Sequence, residues 1–259
     1  SGTNPSMERR SCVALADNVA AVQATWGYDQ CSIIKPLPGN RLVGRSVVRA
    51  GATRCPQCSL PPRWCICDTL PPVLAGLDVH VLIHRHEHRK PSSTGRLIAR
   101  AIPESTIHVY QRAHGDVPAS GFQIEKLEPG SACWILHPDG DPLPHAASAS
   151  QQPTSILLLD GTWKQAHEML RSVETVGRCI RLSDDVMHEP SRYWLRDQPG
   201  PSQLCTAEAL MAVLNAVGDT EASRLLRLHF ELHVYATLLS RGKREMAERY
   251  LGHSPLRSE

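Results

Sequence analysis

Four cysteines fall within thirteen residues of this chain: Cys55-Pro56-Gln57-Cys58, then six residues, then Cys65-Ile66-Cys67. A Cys-x-x-Cys knuckle brings two thiolates to one tetrahedral ion, and a second pair nearby closes a four-thiolate site of the structural-zinc kind. The second pair, spaced Cys-x-Cys, is tighter than usual but sterically workable. The competing reading is four buried free thiols in a proline-rich loop. Four thiolates leave no open coordination position, so a metal held here would support the chain and not the chemistry.

Three other segments carry side chains suited to chemistry. Asp160-Gly161-Thr162-Trp163 follows the apolar run Ser155-Ile156-Leu157-Leu158-Leu159. In open α/β sheets ligands bind at the carboxyl ends of strands, although an Asp or Thr there is also an ordinary helix cap. Arg196-Asp197-Gln198-Pro199 leads to Leu204-Cys205-Thr206-Ala207-Glu208-Ala209, where Thr206 reads as a helix N-cap. His84-Arg85-His86-Glu87-His88-Arg89-Lys90 ends a third apolar stretch and runs into Ser92-Ser93-Thr94-Gly95-Arg96. The plain readings of that cationic segment are a solvated turn or an adventitious three-histidine metal site.

The elements that must position these segments alternate. Residues 78–83, 106–110, 132–136, 155–159 and 178–182 read as strands. Residues 93–102, 163–173 and 206–217 read as helices, and 221–250 as one long helix or a broken pair. A polar, proline-rich loop is expected over 137–153. Apolar strands alternating with helices predict an α/β sheet covered on both faces. Three polar loops following strands in one such unit have the layout of a ligand pocket. Residues 1–50 show no clear period and are read as an extension, 51–75 as a small N-terminal metal-binding element, and 76–251 as the main domain.

The bulk properties narrow the class. A chain of 259 residues with 41% apolar residues can bury a substantial core. It has no apolar run long enough to span a membrane and no secretory leader pattern, so the expected place is the cytoplasm. Nine cysteines, an odd number with four clustered, suit metal ligation in a reducing compartment better than a disulfide scaffold. The net charge of +2 argues against bulk, unspecific nucleic-acid binding but not against a local basic face. Of the 28 cations 23 are arginine, which suits phosphate and base stacking and is equally the bias of a GC-rich genome.

At these residues the chain resembles the DTW-domain family. The namesake motif is Asp160-Gly161-Thr162-Trp163, and Cys55, Cys58, Cys65 and Cys67 match the family's zinc element. His84, Glu87, Thr94, Arg96 and Leu97 resemble its His-x-x-Glu run leading to Thr-x-Arg-Leu. Leu136-His137-Pro138 fits its next strand-end loop, and Ser191-Arg192-Tyr193-Trp194-Leu195-Arg196 with Thr206-Ala207-Glu208-Ala209 fits its late motif. The order is kept over roughly residues 51–251. Cys205 departs from the expected serine, which matters if that hydroxyl binds a ligand.

The resemblance implies a SPOUT-like α/β fold, a knotted sheet covered by helices, with S-adenosylmethionine held in the knotted half. It implies transfer of the 3-amino-3-carboxypropyl group to N3 of a tRNA uridine, releasing methylthioadenosine. The alternatives are a SPOUT-type RNA methyltransferase and a non-catalytic zinc-ribbon RNA-binding protein. Asp160, the motif's only ionisable side chain, becomes the candidate base. Leu136, His137, Pro138, Asp160, Gly161, Thr162, Trp163, Arg196, Leu204, Thr206 and Glu208 become the cofactor-binding set, with Trp163 either stacked on a base or packed in the core. His84, Arg89, Arg96, Arg241, Lys243 and Arg244, joined by Arg249, become the RNA-binding set.

Overall fold

A computed structural model describes residues 53–114, 119–122, 132–144, 152–183, 190–196 and 204–256. The extension expected over 1–50 lies outside them. The described chain forms β1 (Asp78–His84), α1 (Arg85–His88), α2 (Thr94–Ala101), β2 (Thr106–Tyr110), β3 (Cys133–Pro142) and β4 (Ser155–Asp160). It continues with α3 (Trp163–Val173), β5 (Arg178–Arg181), α4 (Thr206–Ala216), α5 (Thr220–Ser240) and α6 (Arg244–Leu251). The strands make one sheet in the order β2-β1-β4-β3-β5, and every pairing is parallel.

Parallel strands need crossovers, and the crossovers lay helices on both faces. Strand side chains alternate, so each strand feeds two cores. Val79, Val81 and Ile83 of β1 and Ile156 and Leu158 of β4 pack with Leu97 and Ile98 of α2, Leu210 and Leu214 of α4, and Phe230 and Val234 of α5. Leu82, Ile135 and Leu157 face the other way, onto Met169 and Val173 of α3. That double burial explains why β4 is continuously apolar. No described helix is long and apolar enough to cross a membrane.

One local expectation needs correction, and two others are refined. The loop expected from residue 137 is strand as far as Pro142: β3 continues through a bulge between Leu136 and Asp141 and pairs there with β5. The bulge brings backbones together at Gly140, where a Cβ would lie 2.6 Å from the Ile180 backbone, so Pro and Gly in the sequence mark an irregular strand and not a loop. A helical turn, α1, follows β1 directly. The stretch 221–250 is the broken pair: Gly242 adopts φ +73° between α5 and α6, a left-handed stop that glycine adopts without steric cost.

The cysteine-bearing segment docks on the main domain through its own small core. Cys58, Leu60, Ile66 and Leu70 pack on Leu228, Leu232 and Ala236 of α5 and on Leu256. His229 of α5 adds a hydrogen bond from its Nε2 to the Pro71 carbonyl, 2.9 Å.

Candidate functional site

Asp160 ends β4 on the same face as Ile156 and Leu158, so its carboxylate meets the first turns of α2 and α4. Ser93 Oγ donates to its Oδ2 at 2.9 Å and Thr206 Oγ1 donates to its Oδ1 at 2.6 Å. Gly95 packs so closely that a Cβ there would lie 2.7 Å from Oδ2. The side chain is buried, and burial raises its pKa against the lowering effect of the Thr206 and Ser93 hydroxyls. One carboxylate thus fastens the central strand to two helix N-termini, where negative charge is favoured.

The rest of the motif turns the chain into α3. Thr162 caps the helix: Gln165 N donates to Thr162 Oγ1 and Thr162 N donates to Gln165 Oε1, 3.4 and 2.8 Å, a reciprocal capping box. Gly161 lies under it, where a Cβ would meet Gln165 Cβ at 2.9 Å. Trp163, at the first helical position, is 47% exposed and not packed core.

The cationic strand end forms a second cluster. Glu87 is buried, and its carboxylate receives Lys90 and, at 2.8 Å, Arg196. Burial pushes its pKa up, but the bonds from Lys90 and Arg196 prevail and hold it below the usual carboxylate range. Arg196 also donates to Ser92 Oγ at 3.2 Å, and Tyr193 Oη donates to the Ser92 carbonyl. The segment after β1 and the segment before α4, distant in sequence, are therefore tied to each other.

Glu208 faces inward. It accepts from Ser191 Oγ, from Arg192 N at 2.7 Å and from Cys205 N at 2.9 Å. The N-cap of α4 is Cys205 and not Thr206, because Thr206 already has helical geometry and spends its hydroxyl on Asp160. Arg192 runs on to α5, donating from Nε and Nη2 to the two oxygens of Glu231 at 2.6 and 2.7 Å. Of the remaining expected residues, Leu136 and Leu204 are half-buried, His137 is buried and Pro138 is exposed. All stand at the carboxyl end of the sheet or at the start of α4.

The RNA candidates divide. Arg96 donates to the Pro56 and Gln57 carbonyls at 3.1 and 3.4 Å, bracing the first knuckle. Arg241 donates to the Leu195 carbonyl at 2.9 Å. Arg89, Lys243, Arg244 and Arg249 are exposed, and His84 is half-buried. Burial and then the neighbouring His86 lower the His84 pKa, so that ring favours its neutral form.

The four cysteines converge. Their Sγ atoms all lie within 4.8 Å of one another, with Cys55–Cys67 at 3.5 Å and Cys58–Cys65 at 3.9 Å. A tetrahedral ion with ~2.3 Å bonds to sulfur requires sulfur pairs ~3.8 Å apart, and the set fits it.

Residues that sequence reasoning missed are Ser93, Tyr193, Arg192 and Glu231. Ser93 and the Arg192–Tyr193 pair lay inside quoted motifs, but nothing in their spacing shows that they bond to elements far along the chain. Glu231 carried one signal: an acid in the apolar run of a buried helix needs a partner.

The family model of the DTW domain matches residues 52–238. The chain is 24% identical over 182 residues to tRNA-uridine aminocarboxypropyltransferase 2 of Drosophila melanogaster, covering 68% of this chain and 72% of the relative. It is 25% identical over 170 residues to the mouse (Mus musculus) protein of that name, covering 62% of this chain and 55% of the relative. It is 24% identical over 189 residues to tRNA-uridine aminocarboxypropyltransferase A of Arabidopsis thaliana, 63% and 72% respectively. The chain thus spans little more than half the length of the mouse relative. No solved structure matches it. The ordered motifs, the hydrogen bonds that join them at one end of the sheet and the extent of the match lead to one statement of kinship: this chain belongs to the DTW domain family.

Proposed function

We propose that the chain transfers the 3-amino-3-carboxypropyl group of S-adenosylmethionine to N3 of a uridine in tRNA. The observation that carries this reading is the meeting of Ser93, Asp160 and Thr206 within hydrogen-bond distance at the end of β4. Three family motifs are drawn there to the position where α/β sheets bind ligands. The names of the fly, mouse and Arabidopsis relatives support the substrate and the group transferred. The insertion of β4 between β1 and β3, with β5 outside β3, supports a SPOUT-like assignment. The knot that assignment implies would involve the chain between β5 and α4, part of which lies outside the described residues.

In the reaction, the N3–H proton of uracil leaves, N3 bonds to Cγ of the methionine arm, and the Cγ–S bond breaks to release neutral methylthioadenosine. The donor is already a good leaving group, so the protein supplies positioning and one proton acceptor. Asp160 is the proposed acceptor; burial favours its protonated form and thus the uptake of a proton. Its hydrogen bonds support a second role, setting the first turns of α2 and α4. Leu136, His137, Pro138, Gly161, Thr162, Arg196, Leu204 and Thr206 are the proposed lining of the donor site, and half-exposed Trp163 is the proposed stacking face for adenine or uracil. Glu208, turned onto the backbone, shapes the donor site from behind. His84, Arg89, Lys243, Arg244 and Arg249 are the proposed tRNA contacts. Arg96 and Arg241 are proposed to serve tRNA through the segments they brace.

Zinc on Cys55, Cys58, Cys65 and Cys67 is proposed as structural: when bound, it cross-links the segment packed on α5. The reducing cytoplasm, where such thiolates persist, is the proposed place of action. The deciding experiment is mass spectrometry of nucleosides and small products from tRNA incubated with the protein and S-adenosylmethionine. An aminocarboxypropyl adduct on uridine with methylthioadenosine is expected. S-adenosylhomocysteine would identify a methyltransferase, and tRNA binding without cofactor binding a non-catalytic RNA-binding protein.

A further inference from the structure

In the second half of β3, on the face opposite Asp160, three side chains that can each ligate a metal ion converge. His167 lies one turn along α3 from Trp163, and its Nδ1 is 2.8 Å from the Trp163 carbonyl. A carbonyl only accepts, so Nδ1 carries a proton and Nε2 is the ring nitrogen left to face a ligand. Nε2 lies 3.1 Å from Asp139 Oδ2. The same Oδ2 lies 3.7 Å from Nδ1 of His137. His137 Nδ1 accepts from Asp139 N at 3.2 Å, and its buried Nε2 has no hydrogen-bond partner among the described residues. One ring nitrogen of each histidine and one Asp139 oxygen all lie within 4.8 Å of one another.

We propose that His137, Asp139 and His167 form a binding site for a divalent first-row transition-metal ion, separate from the four-cysteine site. Two imidazoles and a carboxylate are the ligand chemistry of such ions, with nitrogen and oxygen bonds of ~2.0–2.2 Å for zinc. A proton bridges two atoms, whereas a metal ion collects three, and three converge here. His137 is buried and fixed by β3, while the Asp139 and His167 side chains are 59% and 46% exposed. The ion therefore binds on one side to the protein and keeps open positions on the other. The open side suits an anionic oxygen ligand such as a carboxylate or phosphate. The four-cysteine set has no open side and takes a metal of softer preference, so the two sites differ in chemistry. The inference rests on this geometry and holds whatever group the neighbouring site transfers.

Tag-free full-length protein, purified with zinc and then titrated with Co(II), tests it. Elemental analysis should find two metal ions per chain at saturation. Co(II) in the new site should give weak ligand-field bands without the intense sulfur charge-transfer band of a thiolate site. Asp139→Asn and His167→Asn change exposed side chains and should leave the fold and the zinc intact. Each should weaken the second ion on the order of 100-fold, at the upper end of what loss of an outer-shell partner costs. A single ion per chain, or a second ion whose affinity is unchanged in both variants, overturns the proposal. So does an NMR titration in which His167 of the zinc-loaded protein holds two protons at neutral pH and Co(II) displaces neither. That outcome makes the cluster a proton-bridged pair.

Discussion

Asp160 carries three obligations with one carboxylate: it ends the central strand, and it receives a hydroxyl from each of two helix starts. Burial raises its folded pKa above the unfolded value. The neutral form is therefore favoured by the fold, and the stability it contributes is present at low pH and lost as pH rises through the folded pKa. Asp160→Asn keeps the shape without the buried charge, so its melting temperature at pH 8 should equal or exceed that of the parent. Turnover should fall on the order of 10²–10⁴-fold if the carboxylate takes the uracil proton. Rate recovered at higher pH, where N3 ionises in solution, marks the base. Donor affinity lost in step with rate marks positioning alone. Rates and calorimetric donor binding on the same sample separate the two, and near-normal turnover discards both.

The buried face of α5 makes two expectations at the scale of elements. His229 and His233 are pushed down to about 4 and about 3, chiefly by burial, with Arg100 also adverse. Both are neutral in fold and unfolded chain above pH 6.5. Below it the unfolded chain takes protons that the folded chain refuses, so stability falls as pH drops from 6.5 through about 4 and the loss ends near 3. The combined loss is on the order of 8 kcal/mol. His233→Leu should flatten the pH dependence of the melting temperature between pH 7 and roughly pH 5, since both its ring nitrogens are buried without a partner among the described residues. An unchanged slope would locate the acid sensitivity elsewhere. The same helix carries the cysteine segment on Leu228, Leu232 and Ala236. Chelating the metal should therefore speed amide exchange in residues 53–70, in the facing turns of α5 and around Leu256, and leave β1 and β4 protected. A metal-free preparation with unchanged exchange would count against a structural ion.

For the whole molecule, the near-neutral charge would place the burden of the proposed tRNA binding on a few local cations. Lys243, Arg244 and Arg249 are exposed around the turn into α6 and its last turn, whereas Arg241 is spent on the Leu195 carbonyl. Alanine at Lys243 and Arg244 together should weaken tRNA binding and lower the magnitude of the log–log salt slope by up to ~1.5, with donor binding intact. Arg241→Ala should instead loosen residues 190–196 and impair donor binding at any salt concentration. Filter binding across a salt series, paired with donor calorimetry, reads both. Equal effects of the two changes would erase the division between contact and brace.

The sequence alone determined the elements and the chemistry held within short spans. Five strands and the helices over 94–101, 163–173 and 206–216 follow from apolar periodicity, because burial on one helix face or both sheet faces writes itself into spacing. The four-cysteine set was legible for the same reason: its ligands sit in thirteen residues, and a knuckle is local geometry. Tertiary structure decided which polar residues serve which neighbour. Glu208 reads as a ligand contact in the motif, but its carboxylate is consumed by Ser191, Arg192 and Cys205. Arg96 and Arg241 read as free cations, yet each donates to a carbonyl more than thirty residues away in the chain. Asp139 and His167 belonged to no motif and met only because the second half of β3 passes beside α3. Periodicity records burial, which each element experiences by itself. A hydrogen bond between distant segments depends on the strand order β2-β1-β4-β3-β5, and no local spacing encodes that order.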